Sequence, residues 1–340
     1  MIGWNTMCIT AFCTAININI REKKMEYIIL VISLLAIVWG ADNLVNGSVA
    51  IARRFKISDF VIGAVIVGIG TSCPELVVSA YGAFMGNVDV AIGNVVGSNI
   101  FNILGILGIT ALLYPVTVSK ENLRFELPVC IGVSILALLL AFNFFNGNAV
   151  SIGRVDSLIF LAIFATFIYI SFLRDKRNNK NSDVAAETIN EKLFVSIVKV
   201  VVGLGVLVTG CHFFVEEAVV IATKWGVNEA FISITLIACG TSLPELAASL
   251  AAALKKNTQL ALGNVVGSNI FNITFILGVS AQISPLTGGG ITLVDYIVMI
   301  AAAGLPLALG MRGKISRLAG AIMLTCFVAY TTYLIYAQNL

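Results

Sequence analysis

The segment Gly70-Thr-Ser-Cys-Pro-Glu-Leu76 returns as Gly240-Thr-Ser-Leu-Pro-Glu-Leu246, an offset of 170 residues that constrains the fold more than any other feature of the chain. The same offset relates Gly40 to Gly210, Asp59 to Glu229, Asn94 to Asn264, Ser98 to Ser268, Asn102 to Asn272 and Pro115 to Pro285. A repeat that never slips over such a length describes two copies of one structural unit. Each copy isolates a single acid. Between Asp59 and Asp89 the only charged residue is Glu75, and between Glu229 and Lys255 it is Glu245. At ~1.5 Å per helical residue, Glu75 stands roughly 20 Å from either flanking charge, near the middle of a ~30 Å hydrocarbon layer. An ionisable group at that depth is costly and marks a functional site.

Composition supplies the membrane. The chain has 340 residues, 59% hydrophobic and 11% charged, with mean hydropathy +0.98, far outside the range of soluble domains. Ten apolar spans are expected at residues 27–52, 60–84, 90–113, 127–145, 155–173, 193–221, 230–253, 259–283, 293–310 and 317–336, each near the ~20 residues a bilayer requires. Residues 1–26 form an N-terminal extension without the basic start and cleavage site of a signal peptide. Met25, directly before the first long apolar run, suggests a start codon assigned too far upstream. Residues 27–173 make the first five-helix repeat, the polar stretch 174–192 a solvated linker, and residues 193–340 the second repeat. Because each repeat holds an odd number of spans, the two lie in opposite orientations. The expected fold is an all-α polytopic membrane protein of ten transmembrane helices in two inverted-topology repeats, the plan of secondary transporters.

The side bearing the loops after spans 1, 3, 5, 7 and 9 carries 16 of the 21 Lys and Arg residues, among them Arg53, Arg54, Arg124, Arg174, Lys255 and Arg312. That places the linker in the cytoplasm and both termini outside a cytoplasmic (inner) membrane. A net charge of only +3, spread over short loops, argues against nucleic acid as a partner. The seven cysteines show no paired spacing of a zinc or disulfide framework and read as small packing residues. With His212 the only histidine and no nucleophile–base pair recognisable, an enzyme is not expected, nor is a cofactor. The bilayer is the one obligatory surroundings, and no feature demands a protein partner.

If residues 60–84 are one helix, Thr71, Glu75 and Ser79 share a face at i, i+4 and i+8, as do Thr241, Glu245 and Ser249. Pro74 and Pro244 interrupt those helices and free carbonyl oxygens around Gly70 and Gly240. Irregular backbone at this depth survives only where protein or a watery cavity covers it. The following spans add Asn94, Ser98 and Asn102, and Asn264, Ser268 and Asn272, at the same spacing. Two such faces against two broken helices would form an oxygen-only cage, which is ligand chemistry for hard cations such as Ca²⁺. Bland readings compete with this one. Gly93/Gly97 and Gly263/Gly267 are GxxxG motifs that serve close helix packing, any single Ser, Thr or Asn can be an interhelical hydrogen-bond partner, and a lone buried acid can be structural. Asp42 and His212 occupy equivalent places, with Glu216 and Glu217 one turn on; they line an entrance, sense protons or, in the blander reading, reach toward headgroups.

Gly70-Thr-Ser-Cys-Pro-Glu75 with Gly97-Ser-Asn-Ile-Phe-Asn102, and Gly240-Thr-Ser-Leu-Pro-Glu245 with Gly267-Ser-Asn-Ile-Phe-Asn272, resemble the paired alpha-repeats of the cation/calcium exchanger superfamily, most closely the sodium/calcium exchangers of prokaryotic type. The resemblance covers the chain from about residue 27. It implies ten helices and alternating access by sliding of spans 1 and 6 across the other eight. It further implies Na⁺ and Ca²⁺ as transported ions, with Glu75 and Glu245 shared between a central Ca²⁺ site and flanking Na⁺ sites. Hydroxyls of Thr71, Ser72, Thr241 and Ser242 would join them, Ser98, Asn102, Ser268 and Asn272 would complete the cage, and the carbonyls of Gly68 and Ala238 would serve an outer Na⁺. Potassium-dependent members carry Asp at the place of Asn272, so K⁺ co-transport is not expected. Gly68 replaces an alanine of the family pattern and leaves that carbonyl available.

Two ionised glutamates make an empty site expensive to move through a low-dielectric barrier, whereas Ca²⁺ or several Na⁺ neutralise it. The expected function is therefore Na⁺-driven Ca²⁺ antiport in the direction of extrusion. An H⁺-coupled exchanger on the same scaffold is the nearest alternative. A cation channel is a more distant one, since channels build filters from rings in symmetric oligomers.

Overall fold

The structure is a computed structural model that describes residues 3–142, 151–179, 192–226, 240–288 and 290–337. Its helices in chain order are α1 (Gly3–Phe55), α2 (Asp59–Thr71), α3 (Cys73–Phe84), α4 (Val88–Leu113), α5 (Asn122–Ala141), α6 (Arg154–Asn179), α7 (Leu193–Lys224), α8 (Leu243–Leu254), α9 (Thr258–Ile283), α10 (Leu293–Gly310) and α11 (Arg317–Ala337). Among the described residues eight of these are long and apolar enough to cross a membrane, and α2 with α3 forms a further span bent by 48°. The span expected at 230–253 is represented by α8; its earlier part, with Glu229, Ala238 and Cys239, lies outside the described residues.

Two helices sit at the centre. In their most apolar stretches α4 is 83% and α9 is 94% buried within the protein, against 17% to 39% for the other spans, which face lipid on their outer sides. Both start on an asparagine cap: Asn87 Oδ1 accepts the N–H of Val90 at 3.1 Å, and Asn257 Oδ1 that of Leu260 at 3.2 Å. The caps obey the same offset as the acids. α9 crosses α2 at backbone contact, because a Cβ built on Gly263 would lie 2.2 Å from the carbonyl oxygen of Phe60, and one on Gly267 would lie 2.4 Å from Cα of Ala64. The second GxxxG motif is thus a packing device. The long helices α1 and α7 lie against each other in the same manner, with a Cβ at Gly40 2.6 Å from the Leu207 nitrogen and one at Gly203 2.7 Å from that of Leu44.

Two short antiparallel ladders join the repeats. Val116–Thr117 pairs with Lys314–Ile315, and Ser151–Ile152 pairs with Leu286–Thr287. Each ladder takes one strand from either half of the sequence and ties loops that would otherwise leave backbone groups unpaired.

Several helix ends differ from the sequence expectation. α6 continues through Asn179 into the stretch read as linker, because Asp175 is buried and its carboxylate accepts the N–H of Ser58 at 3.0 and 3.2 Å. A buried acceptor at the start of α2 holds that turn helical. α1 and α7 likewise run past residues 52 and 221.

Candidate ion-binding site

The breaks in the two repeats meet at the middle of the bundle. α2 ends at Thr71, Ser72 turns the corner at φ −83°, ψ 9°, and α3 restarts with Pro74 in its first turn, where a missing N–H costs nothing. In the second repeat α8 likewise starts after Ser242 (φ −90°, ψ 7°), with Pro244 in its first turn. Each restart puts a glutamate in the first turn of a half-helix, whose free N–H groups favour negative charge. Glu75 and Glu245 are both fully buried.

The breaks brace each other. Ser72 Oγ donates to Glu245 Oε1 at 2.6 Å, and Ser242 Oγ donates to Glu75 Oε1 at 2.9 Å. A second pair of braces starts within each repeat. Asn94 Nδ2 donates to the Glu75 carbonyl (3.0 Å) and to Ser79 Oγ (2.8 Å), while Asn264 Nδ2 donates to the Glu245 carbonyl (3.1 Å) and to Ser249 Oγ (2.8 Å). The two amide oxygens then accept across the repeats, from Thr241 Oγ1 at 3.5 Å and Thr71 Oγ1 at 3.2 Å respectively.

Among the described residues ten buried side-chain oxygens have no hydrogen-bond partner, and five of them belong to the repeated polar segments: Glu75 Oε2, Glu245 Oε2, Ser98 Oγ, Asn102 Oδ1 and Asn272 Oδ1. An unsatisfied buried polar atom costs about 1–3 kcal/mol, so oxygens left open on the elements around two buried carboxylates are candidate ligands for a cation. These candidates are oxygen alone, and among the described residues no group of three or more His, Cys, Asp and Glu side chains forms a conventional metal cluster. Two carboxylates supplemented by hydroxyl and amide oxygens suit a hard cation. α4 and α9 open into π-helical turns, Phe101–Leu107 and Asn272–Ile276, where they carry Asn102 and Asn272, a distortion frequent at functional positions.

Of the residues singled out from sequence, Thr71, Ser72, Glu75, Ser98, Asn102, Ser242, Glu245, Ser268 and Asn272 are all buried around the paired breaks, and Thr241 is half-buried. The Gly68 carbonyl accepts Ser268 Oγ at 3.2 Å and the Ser72 N–H at 3.1 Å. Ala238 lies outside the described residues. The single face expected for Thr71, Glu75 and Ser79 is divided, since the corner at Ser72 separates Thr71 from the other two and Ser79 is taken up by Asn94. Asp42 stands apart from the breaks and forms an ion pair with Lys255 at 2.5 Å, while His212 is largely exposed, 3.8 Å from Glu216. Sequence reasoning passed over Asn99 and Asn269, which are buried and joined to both site amides. Their 170-residue separation was the available signal.

A bundle of membrane-spanning helices with buried oxygens gathered at the break between α2 and α3 and at the start of α8 is an architecture suited to a cation transporter. The family model described as "Sodium/calcium exchanger protein" matches residues 25–173 and 195–336, and the chain belongs to that family of membrane antiporters. It is 37% identical over 321 residues to a candidate antiporter, CaxA, of Alkalimonas amylolytica, covering 92% of this chain and 98% of the relative. It is 33% identical over 346 residues to the sodium/calcium exchanger MaX1 of Methanosarcina acetivorans, covering 92% and 99%. A solved structure of the sodium-calcium exchanger NCX_Mj superposes with a TM-score of 0.78 at 31% identity, over 90% of this chain and 97% of that one.

The cross-braces carry a prediction. A hydrogen bond to a charged group is worth about 1.5–3 kcal/mol, so Ser72→Ala and Ser242→Ala should each weaken Ca²⁺ binding roughly tenfold or more. The two losses should be similar, because the two serines do the same work on opposite acids. Calorimetric titration of the purified protein with Ca²⁺ checks this.

Proposed function

We propose that the protein exchanges Na⁺ for Ca²⁺ by alternating access and that its working direction is Ca²⁺ extrusion. The observation that carries this reading is the set of five partnerless buried oxygens contributed by Glu75, Glu245, Ser98, Asn102 and Asn272. Two carboxylates balance one Ca²⁺ or two Na⁺, and the neutral oxygens replace hydration without adding charge. Thr71, Ser72, Thr241, Ser242 and Ser268 supply further hydroxyls, and the carbonyls of Gly68 and Ala238 an outer Na⁺ position. Unloaded, the site would carry two like charges through the membrane's low-dielectric interior, so the empty carrier resists switching and the two ions become coupled. Exchange is electrogenic when more than two Na⁺ replace one Ca²⁺. α1 and α7, paired through their glycines and lipid-facing on the outside, are the elements that slide past the rest. The distribution of 16 of 21 basic residues puts the linker in the cytoplasm and both termini outside a prokaryotic inner membrane.

The test is Ca²⁺ uptake into proteoliposomes under an outward Na⁺ gradient, compared with a pH gradient at equal Na⁺ on both sides. Uptake is expected only in the first arm. Uptake that ignores Na⁺ and follows the pH gradient would transfer the site to H⁺-coupled exchange, and a Ca²⁺ conductance without any counter-ion would make the protein a channel.

A further inference from the structure

Both site amides, Asn102 and Asn272, present an oxygen without a partner, and the nitrogen of each is engaged by an asparagine of the opposite repeat. The geometry points to Asn99 and Asn269 as positioning residues that lock the two amides oxygen-inward, and this rests on the cation-exchange reading of the same site. An asparagine in a cation shell is useful in only one of its two near-isosteric orientations. Turned over, it would aim N–H₂ at the ion and repel it.

The orientation is fixed by a chain of bonds that begins on backbone. Asn99 Nδ2 lies 3.3 Å from the Asn269 carbonyl, and Asn269 Nδ2 lies 3.0 Å from the Asn99 carbonyl. A carbonyl can only accept, so each of these side chains must direct its nitrogen to the facing backbone and its oxygen the other way. Asn99 Oδ1 therefore faces Asn272 Nδ2, at 3.1 Å, and Asn269 Oδ1 faces Asn102 Nδ2, at 3.0 Å. Once their nitrogens are held, Asn102 and Asn272 have only their oxygens left to offer. Asn99 and Asn269 are 1% and 2% exposed, so water does not compete for these bonds. The clasp lies where α4 and α9 face each other and is built entirely across the repeat boundary.

Groups that orient metal ligands typically govern about 10- to 100-fold in affinity. Asn99→Leu, which keeps the side chain's bulk, is expected to weaken Ca²⁺ binding to the purified protein at least about tenfold in calorimetric titration. The discriminating measurement repeats this in an Asn272→Asp background, where the carboxylate shows oxygen in either orientation and needs no clasp. There the further loss on Asn99→Leu should fall below about threefold, since coupled residues are non-additive. Asn269→Leu with Asn102→Asp provides an independent cycle should one variant fail to yield a monodisperse protein. Equal losses in both backgrounds would overturn the positioning role and leave Asn99 a packing residue. If the unaltered protein binds no Ca²⁺, the site reading fails, and the clasp's role with it.

Discussion

Glu75→Gln and Glu245→Gln are each expected to reduce Na⁺-driven Ca²⁺ uptake at least about 100-fold, because removing one member of a buried charge pairing costs roughly 3–5 kcal/mol. The substitution keeps size and one oxygen, so Ser242 and Ser72 retain an acceptor on the altered side chain. What disappears is one of two carboxylates among otherwise neutral oxygens, together with its partnerless Oε2. The amide put there brings two N–H donors into a space lined by acceptors. Both single variants should be equally deficient, since each glutamate has the same braces from the opposite repeat. Uptake into proteoliposomes, normalised to reconstituted protein, measures this. Full activity in either variant would remove that residue from the site.

The second large effect concerns folding. Gly263→Leu should prevent recovery of folded protein. Its Cβ would begin 2.2 Å from the Phe60 carbonyl oxygen and 3.0 Å from its carbon, both backbone atoms of a helix that cannot rotate away. Overpacking a core usually costs about 1–3 kcal/mol when side chains can adjust, and more when helix axes must part. Separation here would also part α2 from α9, and with them Gly68 from Ser268 and Thr71 from Asn264, so even residual protein should bind Ca²⁺ poorly. Size-exclusion profiles and thermal melts in detergent report the outcome. Gly205→Leu on the exposed face of α7 is the matched control, as among the described residues nothing lies within 4 Å of where its Cβ would stand.

The paired buried acids were legible in the sequence because their signals are local and doubled. A lone acid in a long apolar run, a proline beside it and a fixed offset to a second copy need no tertiary knowledge, and they brought out Glu75 and Glu245; the corner serines Ser72 and Ser242 came from the resemblance to the exchanger family. The partnership of those serines was not legible. The inverted repeat says that the corners face each other, but which oxygen reaches which depends on the bend at Ser72 and Ser242, a backbone geometry that residue spacing does not encode. Asn99 escaped for a related reason. Asn94, Ser98 and Asn102 make a stripe at every fourth residue, and Asn99 lies off that stripe, toward a partner helix whose crossing is set by Gly263 and Gly267 with α2. The extent of α6 was hidden similarly, since a polar stretch reads as linker until Asp175 is seen to hold the start of α2.

The division between local and crossed bonds bears on how the molecule is made. Asn94 secures Glu75 and Ser79 within the first half of the chain, so that bracket can close as soon as α4 has followed α3 into the bilayer. Among the described residues the side chains of Ser72, Asn99 and Asn102 have no such neighbours; their partners are Glu245, Asn272 and Asn269, which emerge from the ribosome much later. Without the second half Ser72, Asn99 and Asn102 lack these partners, so the candidate site is complete only when the second half docks. Biogenesis and assembly of the binding site end in the same step.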